Sequence, residues 1–117
     1  LQPHQILTIS GIGCSSNFPG FSNSYGMHTL HGRSLPHASG AKLANHEMNV
    51  IVTGGDGDGY GIGGNHFTHT SRRNLDILYI VMNNQIYGLT TGQISPTSEV
   101  GMKTKSTPFG SVELPIN

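Results

Sequence analysis

The sequence has few charged residues, and the charges it has are balanced. Among its 117 residues, Lys and Arg number 6, Asp and Glu number 6, and charged residues make up 10% of the chain. Soluble domains average about 25% charged residues, so we expect much of this surface to be covered by another domain, a subunit or a cofactor. A net charge of zero gives no long-range attraction to nucleic acid or to anionic membranes, and it excludes a protein that binds either of them through a basic patch.

Cysteine and long hydrophobic segments are also scarce. Cys14 is the single cysteine, which excludes an intrachain disulfide and any zinc or iron–sulfur site built from this chain's thiolates alone. No hydrophobic run approaches the ~18 residues that span a bilayer, and the first residues lack the basic and hydrophobic regions of a signal peptide. We therefore expect a cytoplasmic protein. The missing initiator Met and the Pro-containing final residues indicate a fragment of a longer chain.

Glycine is abundant, with 17 residues, but the absence of a Gly-X-Y period indicates loops rather than collagen. Apolar and β-branched runs predict a buried strand at residues 5–10 and two further strands, at residues 49–53 and 76–82. Residues 34–44, with Ser34 as a candidate N-cap, and residues 62–73 predict two connecting helices. Repeated strand–helix–strand units favour parallel pairing, so we expect an α/β fold with a parallel sheet and crossover helices. After Thr91 the sequence predicts an ordered loop or lid.

Each predicted strand ends in Gly, Asp or Asn. Because ligands of open α/β sheets bind beyond the carboxyl ends of the strands, residues 11–14, 55–58 and 83–86 should converge on one site. The segment from Gly55 to Gly59 carries two carboxylates on a backbone with little side-chain bulk, which lets a polyanion and a hard cation approach the main chain. Taken alone, the segment is equally typical of a Gly-rich turn. A calcium-binding EF-hand loop starting at Asp56 would need a Glu where the sequence has Phe67.

Asn84 extends the Gly-Asp-Gly segment to a longer motif with a defined spacing. Asn84 lies 28 residues after Asp56, at the end of the next predicted strand. Gly-Asp-Gly, then 26 residues, then Asn is the magnesium and diphosphate motif of thiamine-diphosphate enzymes, and this sequence resembles that family. Further motifs in the same order make it most similar to the beta subunit of 2-oxoacid:ferredoxin oxidoreductases, and within these to the 2-oxoglutarate type: Gly11-Ile12-Gly13-Cys14-Ser15-Ser16, His31-Gly32-Arg33, Ile62-Gly63-Gly64-Asn65-His66, Arg72-Arg73-Asn74, residues 86–93 and Ser95-Pro96-Thr97.

The resemblance covers nearly all of residues 1–117 and implies a thiamine-diphosphate-binding domain that lacks N- and C-terminal parts of the subunit. It implies oxidative decarboxylation of a 2-oxoacid, with 2-oxoglutarate favoured, to acyl-CoA and CO₂, with electrons passed to ferredoxin. Mg²⁺ would bind the Asp56 carboxylate, the Asn84 amide oxygen and the Ile86 main-chain carbonyl. The implied contacts of thiamine diphosphate are Ile12, Gly13, Cys14, Ser15, His31, Gly57, Asp58, Gly88 and Leu89.

The resemblance also implies a [4Fe-4S] cluster and a partner subunit. Cys14 would supply one of the four thiolates of the cluster, and the other three ligands would lie outside this chain. No catalytic side chain is implied here, because the acid that activates the cofactor belongs to the alpha subunit of the family's heteromer. Coenzyme A would accept the acyl group.

Two other functions stay open at this point. Another thiamine-diphosphate-dependent decarboxylase would share the motif but would need no cluster cysteine at position 14. A non-catalytic module could use residues 54–59 to bind Ca²⁺. The spacings of His28 with His31 and of His66 with His69 suit one helix face and a zinc site, although neither pair carries the Glu of a metalloprotease motif.

Overall fold

A four-stranded parallel sheet organises the structure, a computed structural model that describes residues 1–116. The strands are β1 (Ile6–Ser10), β2 (Tyr25–His28), β3 (Asn49–Gly55) and β4 (Leu78–Met82), in the spatial order β2-β1-β3-β4. The helices are α1 (Phe18–Phe21), α2 (Ser34–Ala44) and α3 (Gly64–Arg73), with short 3₁₀ turns at Pro3–Gln5 and Cys14–Asn17 and a π-helical turn at Gly57–Ile62. A two-stranded antiparallel ribbon, β5 (Ile86–Tyr87) and β6 (Gln93–Ile94), follows β4.

The strand pairing confirms the predicted α/β fold. β1 runs parallel to β3 from the pair Ile6 and Asn49 to the pair Ser10 and Thr53. β3 in turn runs parallel to β4, which ends where Met82 pairs with Gly55. Parallel neighbours require a crossover connection, and α2 and α3 provide it. The carboxyl ends of β1, β3 and β4 therefore lie side by side.

The hydrophobic core lies between α2 and one face of the sheet. Ile9, Val50 and Val52 from the sheet are buried against Leu35 and Ala38 of α2. Burial of an aliphatic side chain of this size contributes about 1.5–3 kcal/mol. Since Ile9 and Val52 are fully buried in the two central strands, this packing fixes β1 and β3 relative to each other and holds the loops at their ends in place.

Several element boundaries differ from the sequence-based expectations. β2 was not predicted, because Tyr-Gly-Met-His is short and all four residues are exposed. The proposed cap at Ser34 is wrong: Ser34 is the first helical residue, Arg33 occupies the N-cap position, and the cap has no side-chain hydrogen bond. β4 begins at Leu78 rather than residue 76, because the Ile77 N–H donates to the Leu75 carbonyl in a tight turn.

The Gly-rich segment after β3 is helical rather than a simple turn. Residues 57–62 form a π-helical turn, and α3 begins only at Gly64, so the predicted helix start at residue 62 is wrong. The Gly63 N–H donates to the Asp58 carbonyl over 2.9 Å, which is the wide i to i−5 closure of a π-turn. A Cβ at Gly63 would lie 2.8 Å from that same carbonyl oxygen, so the closure requires glycine.

Two further observations concern the surface. None of the helices within residues 1–116 is long and apolar enough to cross a membrane. One face of β4 leaves Leu78, Ile80 and Met82 between 39% and 54% exposed.

Candidate functional site

A half-open pocket of about 340 Å³ lies beyond the carboxyl ends of β1, β3 and β4. Its volume falls in the range of about 300–1,000 Å³ that small-molecule sites occupy. The convergence predicted from the strand ends is thus confirmed, and the pocket borders all twelve residues that the sequence nominated for cofactor or metal. These are Ile12, Gly13, Cys14, Ser15, His31, Asp56, Gly57, Asp58, Asn84, Ile86, Gly88 and Leu89, and they are joined by Gly55, Met82, Asn83, Tyr87 and Thr90.

Three oxygen atoms meet at one side of this pocket. The side-chain Oδ1 of Asn84 lies 3.0 Å from Oδ1 of Asp56 and 2.8 Å from the main-chain oxygen of Ile86. In this orientation all three atoms are hydrogen-bond acceptors, with no proton between them. A 180° rotation of the Asn84 amide would instead let its Nδ2 donate to both neighbours. The rotated amide therefore hydrogen-bonds both neighbours, whereas the unrotated amide presents three oxygens together, which are the ligands that a small, hard cation takes.

The Asp56 carboxylate, directly after β3, is 1% exposed and its two oxygens have different partners. Oδ2 accepts a short hydrogen bond from the Ser95 hydroxyl and one of 2.6 Å from the Thr97 hydroxyl. Oδ1 accepts the Asn84 N–H over 3.3 Å. Burial acts to raise the pKa of Asp56, but the hydrogen bonds from Ser95, Thr97 and Asn84 outweigh it and hold the pKa below the ordinary 3.8. The side chain is therefore ionised at neutral pH.

The Asp58 carboxylate serves the scaffold, and it is 2% exposed. Its Oδ1 accepts the Ile12 N–H at 3.1 Å and the Gly32 N–H at 2.8 Å, and it lies 2.6 Å from Nδ1 of His31. Ile12 follows β1, and His31 and Gly32 follow β2. One carboxylate thus joins the loops beyond three strands. Asp58 borders the pocket as expected, but its Oδ1 is paired with these three groups of the protein.

Two aromatic side chains form part of the pocket wall. The rings of His31 and Tyr87 pack edge to face with their centroids 6.0 Å apart. The Tyr87 hydroxyl donates to the Gly57 carbonyl over 2.9 Å. Burial, and then the negative charges of Asp56 and Asp58, raise the pKa of Tyr87. The phenol therefore keeps its proton across the neutral range.

The remaining candidate ligands are dispersed. Cys14 is exposed on the 3₁₀ turn after β1 and is a free thiol. Within residues 1–116, no three His, Cys, Asp or Glu side chains lie close enough to hold a metal ion. His28 belongs to β2 and its Nδ1 lies 3.1 Å from the Ser10 hydroxyl, so the idea that it shares a helix face with His31 is wrong. His66 and His69 do lie on α3.

The sequence did not assign a role to the residues that bind Asp56 from the far side. Ser95 and Thr97 follow β6, in the stretch predicted as an ordered loop or lid, and they contact Asp56 from about forty positions away. Two signals in the sequence pointed to this stretch without giving it a role: the dense run of hydroxyl residues in Ser95-Pro96-Thr97-Ser98, and the place of Ser95-Pro96-Thr97 among the motifs of the resemblance. Tyr87 was likewise noted as part of a motif, but its place in the pocket wall was not predicted.

Comparison with known proteins shows the family of this chain. Residues 11–117 match the family described as thiamine pyrophosphate enzyme, C-terminal TPP binding domain. The whole chain is 53% identical to a 2-oxoglutarate oxidoreductase subunit KorB of Mycobacterium tuberculosis, of which it covers 31%. It is 51% identical to 2-oxoacid:ferredoxin oxidoreductase 1, subunit beta, of Aeropyrum pernix, of which it covers 37%.

A solved structure gives the same result for the fold. The chain superposes on 2-oxoglutarate:ferredoxin oxidoreductase from Magnetococcus marinus, which has 2-oxoglutarate, coenzyme A and succinyl-CoA bound, with a TM-score of 0.98 and 50% sequence identity. The match covers all of this chain and 40% of that one, so the chain spans well under half the length of these relatives. The resemblance to beta subunits of 2-oxoacid:ferredoxin oxidoreductases is confirmed, and the chain belongs to the thiamine pyrophosphate enzymes that share this C-terminal TPP-binding domain.

Proposed function

We propose that residues 1–117 are the thiamine-diphosphate-binding domain within the beta subunit of a 2-oxoacid:ferredoxin oxidoreductase. The proposed reaction converts a 2-oxoacid, with 2-oxoglutarate favoured, and coenzyme A to acyl-CoA and CO₂, and passes electrons to ferredoxin. The alpha subunit of the same enzyme is the proposed partner. Relatives with about half of their residues identical carry names of this enzyme class, and the exposed apolar face of β4 supports a covering partner.

The observation that carries the proposal is the group of three oxygens from Asp56, Asn84 and Ile86. Mg²⁺ takes six oxygens in an octahedron at about 2.0–2.1 Å, and adjacent ligands in that geometry are about 2.8–3.0 Å apart. The two separations, 2.8 and 3.0 Å, are compatible with this value and are equally those of the hydrogen bonds that a rotated Asn84 amide would donate. The residues present therefore fit Mg²⁺, with Asp56 supplying the negative charge and the amide and carbonyl supplying neutral oxygens.

Other groups of the chain suit the thiamine diphosphate itself. Gly57 and Asp58, at the start of the π-helical turn, border the pocket, and the glycine leaves its backbone open to a close ligand. His31 is held at Nδ1 by Asp58, which fixes its ring beside the pocket. Ile12 and Leu89 supply apolar surface at the border of the pocket. When bound, thiamine diphosphate would supply the carbanion-stabilising chemistry that removal of CO₂ from a 2-oxoacid requires.

The iron–sulfur cluster does not fit this chain by itself. A [4Fe-4S] cluster needs four thiolates, and Cys14 is the single cysteine of the sequence. We propose Cys14 as one ligand, because it lies exposed at the border of the pocket. Three further ligands would have to come from outside this sequence, and no electron-transfer step is assigned to residues of this chain.

Calorimetric titration tests the proposal. Thiamine diphosphate and Mg²⁺ are titrated into the complex of this chain with its alpha partner, for the native protein and for Asp56→Ala. Asp76→Ala is the matched control, because the Asp76 side chain is 96% exposed and lies outside the pocket. We expect Mg²⁺-dependent binding in the native protein and the control. In Asp56→Ala the affinity should fall by more than the about 10–100-fold loss typical of outer ligand partners.

Two results would contradict this expectation. Equal binding in the native protein and Asp56→Ala would mean that the diphosphate lies elsewhere. Tight Ca²⁺ binding that does not depend on thiamine diphosphate would instead favour a non-catalytic calcium-binding module.

A further inference from the structure

We propose that Tyr87 is a positioning residue of the cofactor pocket. Its hydroxyl holds the Gly57 peptide and its ring holds His31, and tight binding of thiamine diphosphate depends on both contacts. The proposal rests on the proposed function, since it assumes that this cofactor occupies the pocket. Tyr87 acts through its two neighbours and takes no part in the reaction itself.

Two glycines of the π-helical turn form a groove for the Tyr87 side chain. A Cβ at Gly57 would lie 2.3 Å from the ring carbon Cε1, and a Cβ at Gly61 would lie 2.2 Å from the hydroxyl oxygen. Both separations are under 3.0 Å, which real Cβ atoms essentially never show. Residues four apart lie on the same side of a helical turn. The two missing side chains therefore leave a flat backbone surface, and the tyrosine covers it.

The hydroxyl of Tyr87 restrains the peptide that joins Gly57 to Asp58. It donates to the Gly57 carbonyl over 2.9 Å. Because a peptide unit is planar, a fixed carbonyl also fixes the direction of the N–H of the next residue. Glycine has the widest backbone freedom of all residues, so this hydrogen bond has much motion to restrain. The contact thus sets the backbone that borders the pocket between the Asp56 and Asp58 side chains.

The ring of Tyr87 restrains His31 from a second direction. The two ring centroids are 6.0 Å apart and the planes are inclined by 70°, which is the edge-to-face geometry that aromatic pairs prefer. Nδ1 of His31 lies 2.6 Å from Oδ1 of Asp58. One contact at the nitrogen and one at the ring therefore hold the imidazole at the border of the pocket.

The backbone of Tyr87 is held independently of the π-helical turn. Tyr87 pairs with Gln93 across the β5–β6 ribbon, and its carbonyl accepts the Gly92 N–H over 3.0 Å. A side chain with its own anchor can restrain the turn instead of following it. His31 follows β2, Gly57 follows β3 and the ribbon follows β4, so Tyr87 joins the loops of three strands on the pocket side.

Tyr87→Phe tests the proposal, because phenylalanine keeps the ring and removes the hydroxyl. Gly61→Ala disturbs the same hydroxyl from the other side of the groove. Tyr25→Phe is the matched control, since Tyr25 is 58% exposed on β2 and lies outside the pocket. The dissociation constant of thiamine diphosphate at saturating Mg²⁺ is measured by calorimetry on the complex with the alpha partner. The KM for the cofactor and kcat are measured on the same complex.

We expect the dissociation constant to rise by about twofold to tenfold in Tyr87→Phe, which corresponds to the loss of one neutral hydrogen bond. The KM for the cofactor should rise with it, while kcat at saturating cofactor stays within about twofold of the native value. Tyr25→Phe should bind as the native complex does. Gly61→Ala should also weaken binding, and the double variant should lose less than the sum of both changes, because phenylalanine lacks the oxygen that the new Cβ displaces.

A native dissociation constant in Tyr87→Phe would overturn the proposal. A lower kcat with an unchanged dissociation constant and KM would overturn it too, because that pattern indicates less folded enzyme and no change at the pocket. Fully additive losses in the double variant would contradict a role of the hydroxyl. Failure of the native complex to bind thiamine diphosphate would overturn the proposed function, so the native protein distinguishes the two failures.

Discussion

Substituting Asp58 by alanine removes an acceptor that three donors share. The backbone N–H groups of Ile12 and Gly32 and the ring nitrogen of His31 all lie within 3.1 Å of Asp58 Oδ1. Gly32 is buried and the His31 side chain is 29% exposed. After the substitution, His31 and the N–H of Ile12, a residue that is 40% exposed, can turn to water, whereas the Gly32 N–H loses a charged acceptor in the interior.

The magnitude follows from the Gly32 N–H. A donor left without a partner in the interior costs about 1–3 kcal/mol, so Asp58→Ala should lower the free energy of unfolding by at least about 1–3 kcal/mol. A domain is stable by only about 5–15 kcal/mol, so this is a large effect. Asp58→Asn retains one oxygen as acceptor and should lie between alanine and the native protein. Asp76→Ala, which removes a pair with Lys42 at 3.2 Å, should change the value by about 0–1 kcal/mol.

Urea unfolding of the full chain, followed by circular dichroism, measures the three variants against the native protein. Amide hydrogen exchange adds a local measurement, because Ile12 and Gly32 should lose protection in Asp58→Ala before the strands do. If Asp58→Ala were within about 1 kcal/mol of the native protein, with both amides still protected, the idea that Asp58 joins the three loops would be wrong.

Two further predictions concern glycine positions and alkaline pH. Gly32 has φ +71°, and a Cβ there would lie 2.6 Å from the Gly63 nitrogen, so Gly32→Ala should destabilise the protein by about 2–5 kcal/mol. Gly40 lies inside α2 with open space around it, so Gly40→Ala should stabilise the protein by about 0.5–1 kcal/mol. The urea midpoints of the two variants, compared with that of the native protein, test both predictions. Burial first, and then nearby carboxylates, raise the pKa of Tyr79 and of Tyr87 above 10.0. The unfolded chain therefore releases these protons first, so the contribution of the two tyrosines to stability should be constant below about pH 10 and be lost above it. A urea midpoint that does not fall between about pH 9 and 11 would contradict this.

The sheet was predictable where the sequence carries long apolar runs. β1, β3 and β4 each contain at least four consecutive residues suited to a buried strand, and their order with α2 and α3 requires parallel pairing. β2 has no such run, because an exposed edge strand needs only backbone hydrogen bonds to Leu7 through Ser10. The π-helical turn was not predictable either, since it depends on the space that Gly63 leaves for the Asp58 carbonyl.

The pocket was predictable to the extent that strand ends define it. All twelve nominated residues border it, but the strand ends predicted only those after β1, β3 and β4, whereas His31, Gly88 and Leu89 came from the family resemblance. The 95–98 loop contacts Asp56 through a path that no period or spacing in the sequence encodes, and its chain passes through β5 and β6 before it returns. Contacts of this kind depend on tertiary packing, so the hydroxyl run could only be recognised as polar.

The two acidic residues of Gly55-Asp56-Gly57-Asp58-Gly59 have different roles. Asp56 lies at the three-oxygen site, and Asp58 holds the neighbouring loops by hydrogen bonds. Successive side chains of a helix are about 100° apart around its axis, so residues two apart point to nearly opposite sides, and Asp56 starts the helical turn that contains Asp58. Asp56 accordingly faces Asn84 and the 95–98 loop, whereas Asp58 faces Ile12 and Gly32. If the segment were an open Gly-rich turn, both carboxylates could reach one cation, as the calcium hypothesis requires. The helical backbone separates them, and this leaves a single carboxylate at the three-oxygen site, which suits a cation whose remaining charge is neutralised by a bound diphosphate.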